Sequence, residues 1–176
     1  MRVFVSVGLP TEVKDELYDV QKLVFPSLAK IRWVPKKNIH LTLKFLGEVN
    51  NLEEIHEKLS RISFKSFKVH LANFGAFPSW ENLKVFWVGL EPSKNVIKLQ
   101  QEIDSELLSF SNDYQKFSPH LTLGRVKMIK KKKEFLNIVK KIEVNPIEFK
   151  INSFQLMQSK LSKDGSKYFV LKEYKA

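Results

Sequence analysis

Two identical tetrapeptides hold half of the histidines in this sequence. The motif His-Leu-Thr-Leu occupies residues 40–43 and recurs eighty positions later at residues 120–123. The chain of 176 residues has only four histidines and three threonines, and the two copies use two of each. Imidazole and hydroxyl groups exchange protons and hydrogen-bond anions near neutral pH. The repeat therefore predicts a functional site.

Strand geometry assigns the polar and apolar residues of each motif to different faces. Because side chains alternate along a strand, His40 and Thr42 share one face while the two leucines anchor the other face in a core. His120 and Thr122 follow the same rule. If the two strands lie side by side, two imidazoles and two hydroxyls converge on one cleft.

This set of side chains suits phosphodiester cleavage. One imidazole removes a proton from the nucleophile and the other protonates the leaving oxygen, while hydroxyls stabilise charge on the phosphate. The residues alone leave open which histidine is acid and which is base. We predict no metal site, because cysteine is absent and two histidines are too few ligands for zinc. The remaining histidines, His56 and His70, lack this context and are interpreted as structural.

The surrounding pattern predicts the elements that carry the motifs. Each half of the chain reads as a helix, the motif strand, a helix and two further strands. Helices are predicted over residues 9–24, 51–62, 93–110 and 131–142, with Thr11 and Asn51 as candidate N-caps of the first two. Residues 147–161 are predicted as one strand, which a turn at residues 163–166 connects to the last strand. Helices with mostly antiparallel strands indicate an α+β fold. No flexible linker separates the halves, so residues 1–176 are predicted to form one domain.

The composition of the chain indicates which classes of binding partner to expect. The formal net charge of +11 favours RNA or DNA, although a lysine-rich surface that serves only solubility gives the same number. The run Lys130–Lys133 is either a guide for RNA or a solvated helix start. No apolar segment is long enough to cross a bilayer, and we expect a cytoplasmic monomer with no membrane partner.

The blocks around the histidines resemble a known family. IRWVPKKNIHLTLKFLGEV and FSPHLTLGRVK are similar to segments of the two-histidine (2H) phosphoesterases, and more closely of the RNA 2′,3′-cyclic phosphodiesterases, also called 2′-5′ RNA ligases. The resemblance implies two pseudo-symmetric lobes of mostly antiparallel sheet, with helices on the outer faces and a central cleft. It also implies hydrolysis of a terminal 2′,3′-cyclic phosphate on RNA to a 2′-phosphate, without a cofactor.

The same resemblance implies roles for individual residues. His40 would be the proton donor, His120 the proton acceptor, and Thr42 and Thr122 would hold the phosphate. Arg125 would contact phosphate and Phe45 would pack on the ribose or base. Strict alternation, however, puts these last two residues on the leucine face, so they reach the cleft only if the strand ends, twists or bulges, which Gly124 could allow. Lys44 would share the face of His40 as a lysine at the rim.

Two other functions fit the same residues. One is ATP-independent joining of RNA ends through a 2′-5′ bond, in which a 5′ hydroxyl replaces water. The other is a non-catalytic RNA-binding module, which would favour arginine, lysine and aromatic residues over a repeated histidine–threonine pair.

Overall fold

A computed structural model describes residues 1–110, 116–163 and 165–176 of the chain, and these contain nine strands, four α-helices and one 3₁₀ helix. The strands are β1 (Arg2–Val7), β2 (Ala29–Trp33), β3 (Leu41–Glu48), β4 (Phe67–Phe77), β5 (Val85–Glu91), β6 (His120–Ile129), β7 (Glu148–Ile151), β8 (Ser153–Ser162) and β9 (Gly165–Lys175). The α-helices are α1 (Thr11–Lys22), α2 (Leu52–Ser60), α3 (Lys94–Glu106) and α4 (Lys132–Val139), and the 3₁₀ helix covers Lys36–Asn38.

All nine strands belong to one antiparallel sheet that divides into two lobes. The strand order is β7-β4-β5-β6-β3-β1-β8-β9. The remaining strand, β2, lies off this path and pairs with β6. The two motif strands, β3 and β6, are neighbours at the centre, and four strands lie in each lobe on this path. We name the lobes after these strands, the β3 lobe and the β6 lobe. The α+β, bilobal, pseudo-symmetric fold expected from the sequence is confirmed.

The two halves of the sequence interlock across this centre. Helix α1 precedes β3 in the chain but contacts β6, and α3 precedes β6 but contacts β3. The hairpin of β4 and β5 comes from the first half and completes the β6 lobe. Each motif strand is therefore supported by elements from the other half of the chain.

The motif leucines lie in the core, as the alternation predicted. Leu41, Leu121 and Leu123 are fully buried, and Leu43 is nearly so. Helix α1 packs its apolar stripe, including Leu17 and Val20, into the same core. Burial of each leucine side chain contributes about 1.5–3 kcal/mol, so the repeated apolar positions fix which face of each strand points to the cleft.

Two local predictions need correction. The segment 147–161, predicted as one strand, is broken at Asn152 into β7, which pairs with β4, and β8, which pairs with β1, so it crosses from one lobe to the other. Thr11 was a candidate helix cap, but α1 begins at Thr11 itself after Pro10, with no side-chain cap. The cap predicted at Asn51 is present, since its side chain accepts a hydrogen bond from the Glu54 amide. Asp164, which belongs to the turn predicted at residues 163–166, lies outside the described residues.

Candidate active site

The antiparallel register of the two central strands brings the motifs face to face. Leu41 pairs directly with Leu121. In an antiparallel pair, the residue before Leu41 lies opposite the residue after Leu121. His40 therefore lies opposite Thr122, and Thr42 lies opposite His120. All four polar side chains point away from the buried leucines and are partly exposed. Each imidazole thus has the hydroxyl of the other motif as its cross-strand neighbour.

A backbone carbonyl orients each imidazole in the same way. Nδ1 of His40 lies 2.7 Å from the carbonyl oxygen of Asn38, and Nδ1 of His120 lies 2.7 Å from that of Ser118. A carbonyl only accepts, so each Nδ1 carries the proton and donates it. In the neutral ring, Nε2 then has the free lone pair. Both histidines are therefore held in the tautomer whose Nε2 can take up a proton.

Thr42 holds the second nitrogen of His40. Its Oγ1 lies 2.9 Å from His40 Nε2. The hydroxyl donates to Nε2 when the ring is neutral and accepts from it when the ring is protonated. The contact therefore persists in both protonation states that an acid–base cycle requires.

Aromatic rings pack against both imidazoles, and the sequence did not single them out. Phe4 and Tyr168 lie 5.0 and 5.3 Å from the His40 ring, centroid to centroid. Phe77 meets the His120 ring edge-on at 5.0 Å, with Trp87 at 6.5 Å. These rings come from strands distant in sequence, and nothing in their local patterns distinguishes them from core residues.

The surroundings of His40 favour its neutral form. Burial lowers the pKa of the His40 imidazole, the hydrogen bond to the Asn38 carbonyl raises it, and the nearby Lys14 ammonium lowers it, with burial the largest effect. The net pKa is below the usual value. In the ligand-free protein, His40 is therefore poised as a neutral imidazole.

A β-bulge turns Phe45 toward the cleft. Between β1 and β3 the pairing shifts from Ser6 with Thr42 to Val5 with Lys44, so Leu43 is an extra residue in β3. Alternation is reset after a bulge. Phe45 is accordingly 60% exposed, on the same side as Thr42.

An equivalent bulge in β6 exposes Arg125. The pairing with β5 shifts from Trp87 with Thr122 to Phe86 with Gly124, leaving Leu123 as the extra residue. Gly124 then faces the core, where an added Cβ would come within 2.6 Å of the Trp33 ring. Only glycine fits there, and Arg125 emerges beyond it as an exposed side chain. Both strands thus bulge at matching positions. A bulge was one of the conditions expected from the sequence for Phe45 and Arg125 to leave the leucine face.

The bulge also overturns the expectation for Lys44. This residue is only 5% exposed, on the core side of β3, and its ammonium forms an ion pair with Asp104 of α3 at 2.5 Å. Lys44 is not a lysine at the rim of the cleft, because the extra residue Leu43 reverses its side of the strand.

A buried glutamine supports the second bulge from behind. Gln21 of α1 is 5% exposed, and its Nε2 donates to the carbonyl oxygens of Leu123 and Val34, each at 2.9 Å. The contact fixes the extra residue of β6, and with it the backbone between Thr122 and Arg125. In the sequence, Gln21 stands next to the apolar stripe of α1, and only its burial distinguishes it.

Three cavities lie near these residues. One of about 560 Å³ is lined by Arg125, Phe45 and the Phe4 and Tyr168 rings that contact His40. A second, of about 370 Å³, is lined by His40 itself. The largest, of about 1200 Å³, lies beside Trp87 and contains neither motif histidine. The first two cavities flank His40 and share the Tyr168 ring.

The described part of the chain holds neither a metal-binding cluster nor a membrane-spanning helix. Among the described residues, no group of three or more histidine, cysteine, aspartate or glutamate side chains is arranged to hold a metal ion. In the same part of the chain, no helix is sufficiently long and apolar to span a bilayer.

Comparison with known proteins decides the family. The model of the family described as LigT like Phosphoesterase matches this chain twice, at residues 7–87 and 88–168, once for each half. The chain belongs to the LigT-like phosphoesterases. The resemblance to the two-histidine phosphoesterases read from the motifs is thereby confirmed, and the double match agrees with the two interlocked halves.

Individual LigT-like relatives align over nearly the whole chain. A Methanocaldococcus jannaschii protein named RNA 2′,3′-cyclic phosphodiesterase is 34% identical, covering 99% of this chain and 100% of that protein. A Thermotoga maritima protein of the same name is 35% identical, covering 98% and 94%. Among solved structures, TT0787 of Thermus thermophilus has a TM-score of 0.81 at 26% identity, covering 99% of this chain and 97% of its own.

Proposed function

We propose that this chain hydrolyses the terminal 2′,3′-cyclic phosphate of RNA and leaves a 2′-phosphate. Relatives that align over almost the full length are named RNA 2′,3′-cyclic phosphodiesterase. The observation that carries the proposal is the cross-strand arrangement of the two motifs, in which carbonyl-held imidazoles face one cleft beside the threonine hydroxyls.

The proposed reaction moves one proton at each histidine. His120 Nε2 takes a proton from water, whose oxygen attacks phosphorus. The bond from phosphorus to the 3′ oxygen breaks, and Nε2 of protonated His40 gives that oxygen a proton. The products are a 2′-phosphomonoester and a free 3′ hydroxyl, and water added across the bond balances the equation. The proposal requires no metal, since the two imidazoles supply both the acid and the base.

Neighbouring groups stabilise the charge that develops on phosphate. In the proposal, Thr42 and Thr122 donate hydrogen bonds to the non-bridging oxygens, as donors placed where negative charge accumulates lower the barrier. Arg125 contacts the phosphate from its position just after the bulge of β6, and Phe45 packs against the ribose or base. The bulges support these two roles because they put both side chains on the side of the threonines.

The lowered pKa of His40 bears on its role as the acid. A neutral imidazole cannot donate from Nε2 while Nδ1 keeps its proton, so His40 has to gain a proton when substrate binds. The negative charge of the cyclic phosphate favours the imidazolium and raises the pKa. Bound substrate therefore creates the acid that the ligand-free protein lacks.

The principal test uses an oligoribonucleotide with a 2′,3′-cyclic phosphate, in the presence of EDTA. We expect opening to a 2′-phosphate, and a loss of about 10²–10⁴-fold in rate for His40→Ala and for His120→Ala. His70→Ala is the matched control, because this half-buried histidine also bonds a backbone carbonyl, that of Leu71, outside the cleft. Full activity in both motif variants would refute the proposal. Tight RNA binding without turnover by the unmodified protein would favour the binding-module alternative.

A sulfur substitution tests which histidine is the acid. A cyclic phosphate with sulfur in place of the 3′ oxygen has a leaving group of thiol type, with a pKa of about 8.5, and needs little protonation. His40→Ala should then recover most of its lost rate on this substrate, whereas His120→Ala should not. Recovery in His120→Ala alone would reverse the two assignments. Product analysis at high concentrations of RNA ends separates hydrolysis from 2′-5′ joining.

A further inference from the structure

Three arginines line the cavity of about 560 Å³ beside His40, which we name the arginine cavity. They are Arg2 of β1, Arg32 of β2 and Arg125 of β6. Arg32 and Arg125 are direct cross-strand partners in the pairing of β2 with β6. Like charges placed directly opposite each other destabilise a sheet. The fold therefore places two cationic side chains at directly opposite positions of neighbouring strands, at an energetic cost.

No acidic side chain offsets this charge in the part of the chain that the structure describes. Within residues 1–110, 116–163 and 165–176, none of the three arginines forms an ion pair, and no aspartate or glutamate lines the cavity. Glu48 is the backbone partner of Arg2, but its carboxylate contacts the amino group of Met1 at 3.0 Å. An anion from outside would supply the missing charge and could accept paired N–H bonds from a guanidinium.

The other walls of the arginine cavity are aromatic. Trp33, Phe45, Phe4 and Tyr168 line it, and Phe45 presents 60% of its surface. A basic groove combined with rings on which bases can stack is the common pattern of single-stranded nucleic acid sites. An inorganic anion or a small dicarboxylate has no ring that could stack on these aromatic side chains. The chemistry of the cavity therefore fits a nucleotide.

The arginine cavity is separated from His40, the proposed acid, by aromatic side chains that contact both. Phe4 and Tyr168 line it and also contact the His40 imidazole at 5.0 and 5.3 Å between centroids. A terminal nucleotide held at the histidine pair is followed along the strand by the phosphodiester on its 5′ side. That phosphodiester has to bind within one nucleotide of the histidines, and the arginine cavity is adjacent to His40.

We propose that Arg2 and Arg32 bind the phosphodiester that precedes the terminal nucleotide, so that the protein selects cyclic phosphates carried on oligoribonucleotides over mononucleoside 2′,3′-cyclic phosphates. This inference rests on the proposed function and adds to it the class of substrate. Arg125, opposite Arg32, lies between the cyclic phosphate and this second phosphate. The aromatic walls receive the neighbouring base.

The test compares kcat/KM for cytidine 2′,3′-cyclic phosphate with that for a dinucleotide ending in the same cyclic phosphate. We expect the unmodified protein to favour the dinucleotide by at least about tenfold, the value of one charge-assisted contact. Arg32→Gln and Arg2→Gln should each reduce this preference several-fold, because each substitution lowers kcat/KM more for the dinucleotide than for the mononucleotide. Arg61→Gln removes the same charge from an exposed residue of the outer surface, paired with Glu57, and should leave the preference intact.

Folding and charge are controlled separately. Thermal unfolding shows whether each variant folds, and Arg32→Lys keeps the charge but loses the planar fork, so it should restore only part of the preference. Equal loss on both substrates in Arg32→Gln, or no preference in the unmodified protein, would overturn the inference.

Failure of the proposed function would be recognised separately. In that case the unmodified protein would turn over neither substrate. The arginine cavity is then tested by binding of a fluorescent oligoribonucleotide with a 3′-phosphate. Removing one phosphate contact lowers the slope of log affinity against log salt by about 0.7 for a single strand. An unchanged slope in both Arg32→Gln and Arg2→Gln would refute the subsite without reference to catalysis.

Discussion

Gln21 is expected to position the active site although it contacts none of the proposed catalytic side chains. Its amide donates to the carbonyl oxygens of Val34 and Leu123, and Leu123 is the extra residue of the β6 bulge. Methionine has a similar length and flexibility but no N–H group. Gln21→Met therefore removes both hydrogen bonds with little change in volume.

The loss of stability can be worked from these two contacts. Each net hydrogen bond contributes about 1 kcal/mol, so we expect a loss of about 2 kcal/mol. The Leu123 carbonyl keeps one bond, from the Val34 amide at 2.8 Å, which limits the cost of leaving it unsatisfied. For a chain of this size, the loss corresponds to a fall of roughly 4–8 °C in Tm.

The effect on activity distinguishes positioning from a purely structural role. A shift of the bulge displaces the Thr122 hydroxyl, and a misplacement of about 1 Å costs about 10²-fold in rate. We expect kcat on the cyclic-phosphate oligonucleotide to fall at least about tenfold, with a smaller change in KM. The control is Asn51→Ala, which removes the cap of α2 on the outer surface at a cost of about 1 kcal/mol and should keep full activity.

Two results would refute this reasoning. If Gln21→Met loses stability but keeps kcat within about twofold of the unmodified protein, the bulge does not depend on the amide for its position. If stability is unchanged, the two buried hydrogen bonds contribute nothing, against the expectation for buried carbonyl groups.

Three other predictions follow from single contacts. Gly75→Ala should lower Tm and the hydrolysis rate together, because the new Cβ would lie 2.3 Å from the Trp87 ring that packs on His120; normal values for both would contradict the contact. Phe45→Ala should raise KM for the oligonucleotide with no change in Tm, since the ring is 60% exposed; a large fall in Tm would make it a core residue. Because burial lowers the pKa of His40, the unfolded chain binds this proton more tightly. The free energy of unfolding then decreases as pH falls from about 6.5 through the folded pKa. The urea midpoints measured at about pH 7.5 and about pH 5 should therefore differ less in His40→Gln than in the unmodified protein. An equal difference in the two proteins would contradict this prediction.

The sequence predicted the fold well because its pattern is repeated. Leucines at alternate positions of both motifs define the core face, and the structure buries them. The broken strand was missed because residues 147–161 stay apolar and extended on both sides of Asn152. Only the pairing of β7 with β4 in one lobe, and of β8 with β1 in the other, shows the crossing.

Alternation alone could not place the residues that follow each motif. It predicted the faces of His40 and Thr42 but gave the wrong face for Lys44, because the extra residue in β3 is specified by pairing with β1. Gly124 was a usable signal for the second bulge, since its lack of a side chain is required against Trp33. The aromatic contacts of the histidines depend on strand order, and so do the positions of Arg2 and Arg32 in the arginine cavity. No local pattern in the sequence reveals this order. The roles of the motif residues stay predictions.

The exchange of helices and hairpins between the two halves has a consequence for how the protein acquires activity. A chain cut between β5 and α3 would give two fragments, and neither would contain a whole lobe, because β3 needs α3 and β6 needs α1 and β5. Each fragment would expose the apolar face that its partner covers. The two could regain structure only by complementation, and the histidines would meet only in that final assembly. Maturation of the site and completion of folding are thus a single event.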